Sequence, residues 1–191
     1  MPNYAYSSLK ITGDRNDIDK IIKTEFDFNM IIPPPQGLVD DCEEYCSMCK
    51  SREFIDADTY SRHCVKCDVN SNIGGSISSW AKTDKERYRQ LTKNEIKLAK
   101  KWRKEYGTDS WYEWNVSNWG TKWNASYVKV KRFKNGNARV TFQTAWGPPM
   151  PIFERLAKDY NVRIDGTFEI EGEDGLYKES WLEESSDDGS K

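Results

Sequence analysis

Tyr127-Val128-Lys129-Val130-Lys131-Arg132-Phe133 and Arg139-Val140-Thr141-Phe142-Gln143-Thr144-Ala145-Trp146 flank Lys134-Asn135-Gly136-Asn137, and this stretch decides the fold. Apolar and polar residues alternate on both sides, the period-two pattern of strands with one face in a core. An Asn-Gly pair accepts positive φ cheaply, so the stretch predicts a hairpin. Downstream, Pro148-Pro149 ends the second strand and leads into a helix from Pro151 to Tyr160, with Ile152, Phe153, Leu156 and Ala157 as its apolar stripe and Asn161 as a left-handed cap. Val162-Arg163-Ile164 and Thr167-Phe168-Glu169-Ile170 read as one bent strand with Gly166 at a bulge, and Leu176 to Trp181 adds another.

Upstream, Tyr4 to Thr12 reads as a first strand that ends at the turn Gly13-Asp14. Asp14 to Thr24 follows as a helix, with Ile18, Ile21 and Ile22 on one face. Phe26 to Ile32 is expected as a short strand, stopped by Pro33-Pro34-Pro35. Capping boxes at Thr83-Asp84-Lys85-Glu86 and Thr92-Lys93-Asn94-Glu95 predict helices at about 84–90 and 93–106. Asp109 is expected to cap a Trp-rich helix that Gly120 ends. Helices on one face of an antiparallel sheet satisfy this order most economically, so the expected class is α+β, a ferredoxin-like sheet with an insertion. The expected organisation is a discontinuous core of 1–35 and 107–182, an insertion at 36–81, a basic helical segment at 82–106 and a disordered acidic tail at 183–191.

All five cysteines lie in the insertion. Cys46-x2-Cys49 and Cys64-x2-Cys67 are separated by the fourteen residues Lys50 to His63, close to the spacing of a four-thiolate zinc site. A two-residue gap lets both sulfurs of one turn face one ion, and the second turn completes a tetrahedron. With four thiolates no coordination position stays open, so the predicted Zn²⁺ at Cys46, Cys49, Cys64 and Cys67 is structural. The segment also carries few large apolar residues, so an ion would supply the order that a core does not. The odd cysteine count and the missing secretion signal weigh against disulfides, and the spacing departs from the iron–sulfur patterns. A redox pair would place one Cys-x-x-Cys at a helix start. Cys42 reads as a spare thiol, and His63 either as a ligand or hydrogen-bond partner of the site or as an ordinary surface histidine.

The chain has 191 residues, 37% of them hydrophobic and 31% charged, the composition of a globular protein of about one domain. Its longest apolar run, Met30-Ile31-Ile32, is far below the ~20 residues of a membrane span, and no signal-like start is visible, so membrane insertion and secretion are not expected. The 29 basic and 31 acidic residues nearly balance, but they are segregated. Lys82 to Lys104 holds ten basic and three acidic residues, and Asp165 to Lys191 holds two basic and ten acidic. The bland reading of each run is a solvated face.

Trp119-Gly120-Thr121-Lys122-Trp123 and Thr144-Ala145-Trp146-Gly147-Pro148-Pro149 resemble a family of small phage- and plasmid-encoded proteins with a YubB-type ferredoxin-like domain. Met1-Pro2-Asn3-Tyr4 with Leu9-Lys10-Ile11-Thr12-Gly13 looks like the family's first strand, and Phe28-Asn29-Met30-Ile31-Ile32-Pro33 like its second. The likeness covers roughly 1–35 and 109–180, with Ala5 and Ser7 departing from the Cys and Asn of the pattern. It implies a fold and a genetic setting and transfers no catalytic residue. Trp119, Trp123 and Trp146 are expected to close the helix layer onto the sheet.

No Walker loop, nucleophile elbow, HExxH or deaminase signature is present, so no enzymatic activity is expected. The leading expectation is a cytoplasmic accessory protein of phage or plasmid type that binds a host protein and antagonises a host process such as defence. The alternative is a nucleic-acid-binding module that uses the zinc knuckle and the basic helices, with Lys97, Lys101 and Lys104 on phosphates.

Overall fold

The computed structural model describes residues 3–38, 48–49, 51, 54–56, 62–67, 69–70 and 93–182. The elements run β1 (Tyr4–Thr12), α1 (Arg15–Lys23), α2 (Phe28–Ile31), β2 (Phe54–Asp56), β3 (Arg62–Cys64), β4 (Val69–Asn70), α3 (Lys93–Tyr106), α4 (Trp111–Trp119), β5 (Ser126–Arg132), β6 (Ala138–Ala145), α5 (Met150–Tyr160), β7 (Arg163–Ile170) and β8 (Tyr177–Trp181). Contacts divide the chain into two compact units, Met1–Pro33 with Asn118–Lys191, and Pro34–Ser117. The expected helix at 84–90 and the tail at 183–191 lie outside the described residues. Among those residues no helix is long and apolar enough to cross a membrane.

The first unit is a five-stranded antiparallel sheet in the order β5-β6-β1-β7-β8. Its helical crossovers each skip one strand: β1 to β5 passes β6, and β6 to β7 passes β1, the ferredoxin-like arrangement. The alternation of β1 buries Ala5, Ser7, Leu9 and Ile11 and turns Tyr6 and Lys10 outward. Val140 and Phe142 on β6, and Ile164 and Phe168 on β7, complete the same inner face. Ile18 and Ile21 of α1 and Phe153 and Leu156 of α5 are fully buried, each contributing roughly 1.5–3 kcal/mol of burial. Phe153 stacks on Phe168 at 5.7 Å and meets Trp181 at 5.0 Å.

Two expected elements are corrected. Phe28–Ile31 is one helical turn, capped by Asp27, whose carboxylate accepts from Asn29 N at 2.9 Å. Phe28 and Ile31, three apart, are both buried there, so the same apolar positions that fit a strand fit a helical turn, and the cap decides. Gly166 carries no bulge, because the register of β7 against both β1 and β8 runs through it unshifted. Its missing side chain instead makes room for a ring: a Cβ there would lie 2.3 Å from Phe168 Cζ.

The tryptophans divide. Trp119 is buried, donates its indole N–H to Ile32 O at 2.8 Å and packs edge-on to Phe28. Trp123 is half-buried, and Trp146 is 42% exposed at a φ of 69°, so Trp146 does not close the core. Lys122 Nζ instead lies 4.7 Å from the Trp123 ring centroid and 5.8 Å from that of Trp146. At the other turns the expectations hold, with Asn161 left-handed at the end of α5 and Gly120 at φ 77° after α4. At the N-terminus of α4 the Glu113 amide donates to Ser110 Oγ at 3.5 Å, and the neighbouring Asp109 carboxylate pairs with Arg103 at 2.7 Å.

Candidate metal centre

The second unit contains a small antiparallel sheet in the order β2-β3-β4, with strands of three, three and two residues. Such strands form little ladder, so the turn between β3 and β4 must be fixed by something else. Cys64 is the last residue of β3, paired with Phe54 on one side and Val69 on the other, and Val65-Lys66-Cys67 turns the chain back. Cys64 is buried, while Val65 and Lys66 project into solvent.

The sulfurs converge. Cys49 Sγ lies 3.6 Å from Cys64 Sγ and 3.4 Å from Cys67 Sγ, and the latter two are 3.5 Å apart. None of the three is in a disulfide, whose sulfurs sit about 2.05 Å apart. A tetrahedral ion with Zn–S bonds of about 2.3 Å has S···S edges of about 3.8 Å, so the triangle is close to one face of such a tetrahedron. Three soft donors on one point fit a thiolate metal such as zinc. Cys46, the fourth predicted ligand, and Cys42 lie outside the described residues. His63 is on β3, paired with Ile55 and Asn70.

The surrounding contacts fix the cluster to α3. Asn94 Nδ2 donates to Cys67 O at 2.7 Å, tying the first turn of the helix to the cysteine turn. Gln36 Nε2 donates to Met48 O, one residue before Cys49. Gly37, at φ 88°, leaves space for Met48 and Trp102: a Cβ would lie 2.2 Å from Met48 Sδ and 2.8 Å from Trp102 Cζ2. Along α3, Glu95, Ala99 and Trp102 are buried at spacings of four and three. Lys97, Lys101 and Lys104 repeat those spacings two residues later and are exposed, which puts them on the opposite face. Lys101 lies 4.0 Å from Glu105. At the end of the helix Arg103 donates to the buried Asp109 at 2.7 Å, and this hydrogen bond raises the arginine's pKa further above its ordinary value.

Three of the four predicted ligands therefore meet, and the predicted phosphate-contacting lysines form one solvent-facing stripe. One charge feature went unread in the sequence. Between Glu113 and Glu154 there is no acidic residue, while Lys122, Lys129, Lys131, Arg132, Lys134 and Arg139 fall inside that interval. The hairpin alternation sends part of this set to one face of the sheet, and a count of charges along the hairpin could have found it.

No curated protein matches the chain. Among solved structures, the crystal structure of a protein Api92 from Yersinia pseudotuberculosis is similar to it at 9% identity, with 95% of each chain covered and a TM-score of 0.48. Residues 118–187, which carry β5, β6, α5, β7 and β8, match the family model described as the ferredoxin-like domain in Api92-like protein.

Proposed function

We propose that the protein is a non-enzymatic nucleic-acid-binding protein whose second unit is held by a structural Zn²⁺ on Cys46, Cys49, Cys64 and Cys67. The convergence of three thiols supports the metal, and four thiolates leave it no open position for chemistry. The observation that carries the binding function is the exposed stripe of Lys97, Lys101 and Lys104, on a helix that Asn94 fastens to the cysteine turn. Three ammonium groups at helical spacing neutralise neighbouring phosphates, and release of counterions makes such binding strongly salt-dependent. The metal's part is to hold that helix on a segment that has little apolar core of its own. The test is a filter-binding titration with labelled duplex and single-stranded oligonucleotides at two salt concentrations. Affinity should fall steeply with salt, and Lys97→Glu with Lys101→Glu and Lys104→Glu should weaken it; absence of any oligonucleotide binding overturns the reading.

A second reading is a cytoplasmic phage- or plasmid-type accessory factor that engages a host protein and antagonises a host process such as defence. The hairpin between β7 and β8 favours it, because Glu169, Glu171, Glu173, Asp174 and Glu179 are all exposed there and fit a basic protein surface. A stoichiometric host protein retained in a pull-down after nuclease treatment supports this reading, and its loss with nuclease supports the first.

A further inference from the structure

The outer face of the sheet has a pattern that packing does not explain. Paired residues share a face, so the registers arrange it in rows across the strands. One row reads Lys131, Arg139, Lys10, Asp165 and Ser180 from β5 to β8. The next reads Lys129, Thr141, Ser8, Thr167 and Lys178, and a third reads Ser126, Gln143, Tyr6 and Glu169. Like charges directly opposite one another destabilise a sheet, yet Lys131, Arg139 and Lys10 are consecutive. Lys129, Lys131, Arg139 and Lys10 are all exposed, and none has an ion-pair partner among the described residues. Lys131 and Arg139 lie 5.6 and 6.0 Å from the Phe133 ring, which positions them without neutralising them. Asp165 is already committed to Arg163 at 2.8 Å and to the Ser180 hydroxyl.

A second, independent feature lies on the same face. Between Ser126 and Lys129 the register of β5 against β6 shifts by one residue, a bulge at Tyr127 and Val128. Tyr127 takes a φ of 53°, the left-handed region that a tyrosine adopts only against strain, and its ring is 76% exposed. Bulges re-aim side chains, and here the result is that Tyr127 and Tyr6, itself 44% exposed, line one shallow depression of about 330 Å³ with Lys129, Thr141 and Gln143, and with Glu169 at its β7 edge. A strained backbone that displays an aromatic ring to water beside a row of cations is complementary to an anion with flat apolar faces.

We propose that the outer face of β5, β6 and β1 binds single-stranded nucleic acid, with Lys10, Lys129, Lys131 and Arg139 on the phosphates and Tyr127 and Tyr6 stacking on unpaired bases. The inference rests on the nucleic-acid reading above and moves the single strand from α3 to the sheet. Unpaired bases are specified because the exposed rings of Tyr127 and Tyr6 can stack only on base faces that a duplex keeps inside its own stack. Glu169 and Asp165 bound the surface on the β7 side, so the strand runs over β5, β6 and β1.

The experiment measures fluorescence anisotropy of the full, zinc-loaded chain with a labelled oligothymidine of about 15 nucleotides, within the range of known single-strand site sizes. Tyr127→Gly keeps the backbone at ease at φ 53° and removes only the ring; it should weaken binding by about tenfold or more while the thermal unfolding midpoint stays level or rises. Lys10→Glu with Lys131→Glu and Arg139→Glu should weaken binding further and cut the slope of affinity against salt by about 2, the share of three phosphate contacts on a single strand. A duplex should bind more weakly and be indifferent to Tyr127→Gly. If the oligothymidine binds but only Lys97→Glu, Lys101→Glu and Lys104→Glu weaken it, the sheet proposal falls and the nucleic-acid reading stands. If a duplex binds as tightly as the single strand, the single-strand proposal falls. If neither binds, both fall.

Discussion

In the sheet of residues 1–33 and 118–191, strands of five to nine residues bury one face under helices, where Phe153 meets Phe142, Phe168 and Trp181. In residues 34–117 the described strands are two or three residues long, and Leu38, Cys64, Ala99, Trp102 and Trp114 are among the buried positions. The first unit is held by area removed from water, which is spread over many contacts and degrades gradually. The second is organised around three sulfurs within 3.6 Å of one another, a concentrated arrangement that one ligand change can undo. The difference teaches where each unit is vulnerable: the sheet to loss of volume, the cysteine turn to loss of a sulfur.

The sharpest way to break this contrast is Cys64→Ser. A structural zinc contributes an apparent ~10–16 kcal/mol in small peptides, so losing a ligand should release the ion and abolish hydrogen-exchange protection in β3, β4 and α3, while β1 and β6 stay protected. Metal content by mass spectrometry together with exchange by segment reads both halves; equal loss of protection in both units would erase the distinction. Next in size is Phe153→Ala in α5, which removes a fully buried ring that contacts Phe142, Phe168 and Trp181. It should cost about 3–5 kcal/mol in denaturant titration and leave bound metal at one equivalent.

Smaller effects sharpen the comparison within the sheet. Ser7 is buried on the inner face of β1, and its hydroxyl has no hydrogen-bond partner among the described residues. Ser7→Ala removes that unsatisfied group and should raise stability by about 1 kcal/mol, seen as a higher thermal midpoint. At the outer face, the hydrogen bond from Arg163 holds the Asp165 carboxyl below its ordinary pKa, helped by Ser180 and the charge of Lys10 and opposed by partial burial. A depressed folded-state pKa stabilises above the unfolded value near 4 and is lost as pH falls through the lower folded value. Asp165→Asn should therefore cost less than about 1 kcal/mol at neutral pH and nothing once both states are protonated, so wild type and variant should converge in acid.

Much of this was legible in the chain. The Asn-Gly turn, the left-handed Asn161 and the approach of Cys49 to Cys64-x-x-Cys67 were carried by local signals. Phe26 to Ile32 was misread because seven residues with mixed spacing fit two periods, and the cap at Asp27 is completed by Asn124 Nδ2 at 2.6 Å, a contact 97 residues away. Gly166 resembled a bulge because a glycine in a strand has two readings, and only the position of Phe168 separates them. The bulge at Tyr127 has no residue signal, since a tyrosine is the wrong residue to advertise positive φ. The cation row was hidden for a different reason. Lys10 and Arg139 become neighbours only once β1 is registered against β6.

That register also sets an order of events. β1 is translated before both of its sheet neighbours but lies between β6 and β7, with Leu9 opposite Val140 and Gly166. At roughly 5–20 residues per second, tens of seconds or less pass before either neighbour exists, and during that time the cysteines are already translated. The nascent β1 must wait, apolar side exposed, while the cysteine turn can close behind it. A fragment beginning at Asn118 inherits two strand pairs and nothing to insert between them.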